Sequence, residues 1–337
     1  TSFTDSSNIR DLTAMHQISA ILPVKTRGRH YADNIGRCDI LFSSLRHFTT
    51  PRTFHRFVIV VPHDELEEVK GYAKAWSDFP IEVVDESLYM GIFAEFSQRH
   101  QIRNWHRQQI IKLNAPEWIE TEYSLVLDPD CFATHRFSAD TLILDGRALT
   151  HVQPRTVEPY YWEASAKLLN LDPQLARDGI WWTPAILSRT LCLSLQQRLA
   201  ALHGTDWRRV LLANYALDWT EYTLYWLNAE HEGLLEQYHT GPKPGQRALH
   251  ADESVWFADK MEGWSEARHL APESDGMFAV VQSNTHISPQ RVVEKLAPYF
   301  PITLQPYERH VDPALKGAEL YSAMARRGLK LLNKLRG

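Results

Sequence analysis

The chain has 337 residues, of which 44% are hydrophobic and 23% charged, and a formal net charge of −5. No run approaches the roughly 18 consecutive apolar residues of a membrane helix, and there is no overall basic field to hold a polyanion, which disfavours an integral membrane protein and a nucleic-acid binder. Three widely spaced cysteines, Cys38, Cys131 and Cys192, form no C-x-x-C pair, and the polar start Thr1 to Asn8 lacks the layout of a signal peptide, so a reducing, cytoplasmic setting is expected.

Ile18 to Val24 is a short apolar run ending at a proline-containing turn, the mark of a strand buried on both faces. A helical pattern follows over 32–47, and Phe57 to Val61 gives a second buried strand closed by Pro62. Asp64 is expected to cap a charged helix through about Trp76, and Ile81 to Val84 to form a third strand. The alternation predicts an α/β fold with a mostly parallel sheet flanked by helices.

Asn104 to Leu113 predicts a helix stopped before Pro116, and Ser124 to Leu127 a fourth strand running into Asp128-Pro129-Asp130. Ligands of open α/β sheets bind at this end of the strands. Two carboxylates one residue apart on a proline-stiffened turn suit a hard divalent cation such as Mn²⁺ or Mg²⁺, although D-P-D by itself reads equally as a surface turn.

The second half alternates less regularly. Strands are expected near Ala148 to Val152 and Met277 to Gln282. Helices are expected near Trp162 to Leu169, Pro184 to Leu202, Arg208 to Leu217, Glu221 to Asn228, Asp252 to Asp259 and Pro289 to Leu296, with a loop at Gly241 to Gly245. No repeat or linker separates the halves. The expected organisation is therefore an extension over 1–17, one domain over 18–312 with a helical elaboration in its second half, and a tail over 313–337. That tail holds six basic residues against Glu319, and its apolar and basic residues segregate on a helical wheel, so it is a candidate for peripheral contact with an anionic inner-membrane face as well as for packing on the domain.

Trp105-x-x-Gln108-Gln109-x-x-Lys112-Leu113, followed by Leu127-Asp128-x-Asp130-x-Phe132, then Thr220-Glu221-Tyr222-Thr223-Leu224-Tyr225 and Val281-Gln282-Ser283, resembles a family of bacterial GT-A-like glycosyltransferases across most of 18–300. The family's pattern is W-x-x-Q-Q-x-x-K-L, V-x-L-D-S-D-x-x-F, S-E-Y-x-L-Y and I-Q-S. Thr220 and Pro129 replace serines of that pattern, Trp226 stands where a small residue often follows, and the first strand ends L-P-V-K rather than in an acidic motif.

The resemblance implies a nucleotide-sugar donor, a glycan or lipid-linked acceptor, a role in bacterial surface polysaccharide synthesis, and a division of the domain into a nucleotide-binding half over about 18–135 and an acceptor-binding half over about 136–312. Asp128 and Asp130 would hold the metal, with His250 as third ligand in preference to His286. Asp128, Lys112 and one of Gln108 and Gln109 would serve the diphosphate or sugar; Pro23 and Lys25 occupy the usual place of the base. Glu221 is the candidate general base and equally reads as an N-terminal-turn glutamate favoured by the helix dipole. Asp178, Trp181 and Trp182 are candidates for acceptor or sugar binding. Two other readings stay open: a metal-dependent phosphohydrolase, whose acidic pair would ordinarily follow the first strand, and a non-catalytic carbohydrate-binding protein.

Overall fold

The computed structural model describes residues 17–99, 104–250 and 254–311. The expected extension, apart from Gln17, and the basic tail lie outside the described residues. Among the described residues, no helix is long and apolar enough to cross a membrane.

The first half follows the expected alternation: β1 (Ile18–Pro23), α1 (Asn34–Phe48), β2 (Phe54–Val61), α2 (Leu66–Ala73) and β3 (Ile81–Asp85). β1 is buried throughout, as a strand covered by helices on both faces must be. Asp64 lies inside a short 3₁₀ turn, His63–Glu65, rather than at a helix cap. Two helices that the sequence pattern did not predict, α3 (Glu86–Met90) and α4 (Ile92–Arg99), follow β3, with Asp85 capping the first through Ser87 N at 2.7 Å.

α5 (Asn104–Leu113), β4 (Tyr123–Val126) and β5 (Cys131–Ala133) come next. Beyond them, α6 is Pro159–Leu169. The segment expected as one helix from Pro184 divides: β6 (Ala185–Ser188) is a strand, and only then does α7 (Arg189–His203) begin, capped by Ser188. A short helix, Trp207–Ala213, precedes α8 (Glu221–His231); β7 (Ala248–His250), β8 (Gly276–Val280) and α9 (Pro289–Leu296) complete the main elements. The expected helix near 252–259 is not formed over its described part: Val255 bridges to Val281 as extended chain, and Ala258–Lys260 is a single 3₁₀ turn.

The central sheet has five strands in the order β6-β4-β1-β2-β3. The pairs β4-β1, β1-β2 and β2-β3 are parallel, while β6 runs antiparallel to β4 with Ala185 opposite Val126. The α/β class with a mostly parallel sheet flanked by helices is therefore the one the sequence predicts. A second, three-stranded sheet sets β8 between β7 and β5, antiparallel to β5 with Val280 opposite Cys131.

Residues 301–311 form an extended strap that returns to the start of the domain. Gln305 bonds Asp39 through its backbone N–H and its side-chain amide, both at 2.8 Å, and Arg309 grips both oxygens of Asp33 at 2.7 and 2.8 Å. The strap's His310 carbonyl accepts the N–H of Gly28, whose φ of 111° favours glycine.

Candidate functional site

The topology brings three separate loops to one place. β4 is parallel to β1 and ends at Val126, so Asp128 emerges at the carboxyl edge of the sheet. β6 is antiparallel to β4, so the residues that precede it, Trp181 to Pro184, arrive beside that same edge. β8 is antiparallel to β5, so the residues that follow it, Gln282 to Asn284, arrive beside Asp130. These loops, with parts of α5, α8 and the turn after β1, enclose a cavity of about 530 Å³.

α5 buries Ile110, Ile111 and Leu113 in the core, which turns Gln108, Gln109 and Lys112 to the cavity. Lys112 is only 3% exposed, and its Nζ lies 3.0 Å from Asp128 Oδ1, 3.0 Å from Glu221 Oε1 and 3.2 Å from Thr183 Oγ1. Burial pulls the ammonium pKa down. The Asp128 and Glu221 carboxylates more than offset this and hold it well above the ordinary lysine value.

Glu221 opens α8 behind a capping box in which Thr220 Oγ1 accepts Thr223 N–H at 3.0 Å. Its backbone N–H donates to Gln109 Oε1 at 3.3 Å, and its carboxylate is buried. Burial raises the Glu221 pKa, Lys112 opposes the rise, and the Asp128 charge adds to it. Tyr222 OH meets Thr183 Oγ1 at 2.8 Å and its ring lies 5.4 Å below the Lys112 ammonium.

Asp130 accepts the backbone N–H of Ser283 at 2.7 Å, and the buried Arg37 reaches Ser283 O at 3.4 Å. Burial raises the Asp130 pKa, and the neighbouring Asp128 carboxylate raises it further; Ser283 and Arg37 counteract in part. Two like charges pressed together in this way favour a cation between them. Because Lys112 occupies Asp128 and Ser283 occupies one Asp130 oxygen, the pair offers a few hard oxygen donors. That donor set fits Mg²⁺ or Mn²⁺, which keep several positions for water and phosphate. Among the described residues, no group of three or more His, Cys, Asp or Glu side chains gathers as a metal site.

The other candidates divide by position. Trp181 and Trp182 line the cavity. Pro23 and Lys25 line a smaller hollow that shares Tyr31 and Gln108 with it, and Lys25 Nζ sits 5.9 Å from the Tyr31 ring centroid. His250 is buried outside the cavity lining, with its ring stacked on Trp182 at 4.6 Å. His286 is exposed and stacks on His30 at 4.9 Å. Asp178 is exposed in a two-residue strand and does not line the cavity.

Sequence reasoning missed Thr183, Ser283 and Arg37 as members of the site. Thr183 and Ser283 depend on chain returns that local patterns do not encode, and Arg37 reaches the site from α1. Tyr222 stood inside the Thr220-Glu221-Tyr222-Thr223-Leu224-Tyr225 motif, which was the available signal for it.

Fold and site together define an open-sheet α/β protein with an acidic cleft at the carboxyl ends of its strands, the place where ligands of such sheets bind. Within that class, the chain belongs to a family whose profile matches residues 15–304 and whose description is "Family of unknown function (DUF6492)". Among solved structures it is similar to apo mouse xyloside xylosyltransferase 1, at 12% identity and a TM-score of 0.46, over 81% of this chain and 100% of that one. It is also similar to core-mannan synthase A from Aspergillus fumigatus in its Mn/GDP form, at 11% identity and a TM-score of 0.43, over 64% of this chain and 70% of that one. No curated protein matches it.

Proposed function

We propose that the protein is a metal-dependent glycosyltransferase that moves a sugar, of the hexose kind, from a nucleotide-diphosphate donor to a glycan or lipid-linked acceptor in bacterial surface polysaccharide synthesis. The reading rests above all on one observation: Asp128, Asp130, Lys112 and Glu221 meet an aromatic wall in a single cavity large enough for such a donor.

In this reading Asp128 and Asp130 hold Mn²⁺ or Mg²⁺, which supplies charge neutralisation to the departing diphosphate. Lys112 fixes the Asp128 carboxylate and adds a point charge beside the phosphates. Gln108 and Gln109 offer amides to ribose or sugar hydroxyls, and the hollow at Pro23 and Lys25 takes the base. Glu221 accepts the proton of the acceptor hydroxyl; its raised pKa brings a carboxylate closer to the range useful for general base catalysis. Trp181 and Trp182 present ring faces to sugar, with His250 backing Trp182. Asp178 lies outside the cavity lining and receives no role.

The test is thermal unfolding with UDP, GDP, ADP and their sugar esters, in MnCl₂ and in EDTA. A ligand at 100 times its Kd stabilises the native state by about 2.7 kcal/mol. Stabilisation by at least one nucleotide is expected, lost in EDTA and in Asp130→Asn. Metal-independent behaviour of every nucleotide, or full donor turnover by Asp130→Ala, would overturn the reading.

A further inference from the structure

We infer that the acceptor is a glycan of two or more sugar residues, bound along a row of aromatic rings on one wall of the cleft; this rests on the sugar-transfer reading above. The row runs through Tyr160, Tyr161, Trp181, Trp182 and Trp256, with successive ring centroids 4.4, 6.4, 5.1 and 5.9 Å apart. Its last four members line the cavity, whereas Tyr160 is 43% exposed. Ring by ring, neighbouring contacts therefore link the inside of the cavity to the surface, and five rings offer more aromatic face than one pyranose can cover.

The chemistry of the two sides selects the ligand class. A pyranose has a face of C–H groups that an aromatic ring covers well, and a rim of hydroxyls that needs hydrogen-bonding partners. The ring row supplies the first, and carboxylates and amides across the cavity supply the second. A nucleic acid or other polyanion would need cations along the track, and the row contains no lysine or arginine. An alkyl chain would leave the charged side of the cavity facing hydrocarbon, at a large desolvation cost.

The track also passes the reacting groups. Trp182 is followed directly by Thr183, whose Oγ1 is 3.2 Å from Lys112 Nζ. A sugar on Trp182 thus has its hydroxyls beside the Lys112, Asp128 and Glu221 cluster, while the residues that precede it in the glycan lie outward toward Tyr160.

The experiment is binding of the intact chain to an array of defined glycans from mono- to hexasaccharide, with and without UDP or GDP plus MnCl₂. At least one oligosaccharide series is expected to bind tenfold or more tightly than its monosaccharide. Trp181→Ala should weaken every member on the order of tenfold, Trp181→Phe should retain most of the binding, and Tyr160→Ala should weaken only trisaccharides and longer. Circular dichroism checks folding, and the phenylalanine and Tyr160 variants keep the test decisive where Trp181→Ala does not fold. Binding of no glycan, or equal binding of monosaccharide and oligosaccharide, overturns the inference. Nucleotide stabilisation without glycan binding would defeat the acceptor inference alone; absence of nucleotide stabilisation would count against the transfer reading itself.

Discussion

Lys112 Nζ and Glu221 Oε1 form an ion pair at 3.0 Å with 3% and 1% of the two side chains exposed. The same ammonium also serves Asp128, so one buried cation is shared by two carboxylates. Removing one member of such a group strands a charge away from water, which typically costs about 3–5 kcal/mol. Lys112→Met is therefore expected to lower unfolding stability by about that amount in urea titrations. The double variant Lys112→Met/Glu221→Gln should recover part of the loss, because a neutral amide replaces one stranded carboxylate. Strict additivity of the single effects in the double-mutant cycle would show that the pair is not coupled.

Gly179 is a packing position. A Cβ there would collide with Cη2 of Trp162, a fully buried ring that also carries the Arg155 guanidinium 4.4 Å from its centroid. Gly179→Ala should destabilise by about 1–3 kcal/mol, the usual range for overpacking. It should also disturb the neighbouring Trp181 and its ring row. An unchanged thermal midpoint would contradict this packing.

His239 gives the fold an acid limit. Buried between Thr150 Oγ1 at 2.8 Å and Tyr225 OH at 2.7 Å, it has its pKa lowered by burial to about 3. The unfolded chain then binds the proton more readily than the native one, so the contribution is complete above the unfolded value near 6.5 and is lost as pH falls from there toward about 3. His239→Gln should flatten the decline of thermal midpoint across that window while lowering the midpoint at pH 8. Parallel pH profiles for the two proteins would refute the assignment.

Much of the sheet was legible because buried parallel strands are written as unbroken apolar runs: Ile18 to Val24 and Phe57 to Val61 announce β1 and β2 directly. α9 was legible to its ends, since Ser288, Pro289 and the apolar spacing agree locally. β6 was not. Ala185–Ser188 is apolar and runs without a break into helical sequence, and only its ladder with β4 makes it a strand. The acidic pair could be placed at a strand end, and the motif resemblance grouped Lys112 and Glu221 with it, yet the polar residues that complete its surroundings could not be placed. Thr183 and Ser283 come from antiparallel returns 53 or more residues away in sequence, and their short polar side chains carry no periodic signal.

The strap that ties Arg309 to Asp33 and Gln305 to Asp39 has a consequence for biosynthesis. Asp33 stands at the N-cap position of α1, and its guanidinium partner follows 276 residues later in the chain. During translation both carboxylates precede their strap partners, although Trp76 Nε1 donates to Asp39 Oδ1 at 2.8 Å from within the first half. Closure of the strap onto α1 is thus a contact of long sequence separation, the kind that forms late in folding.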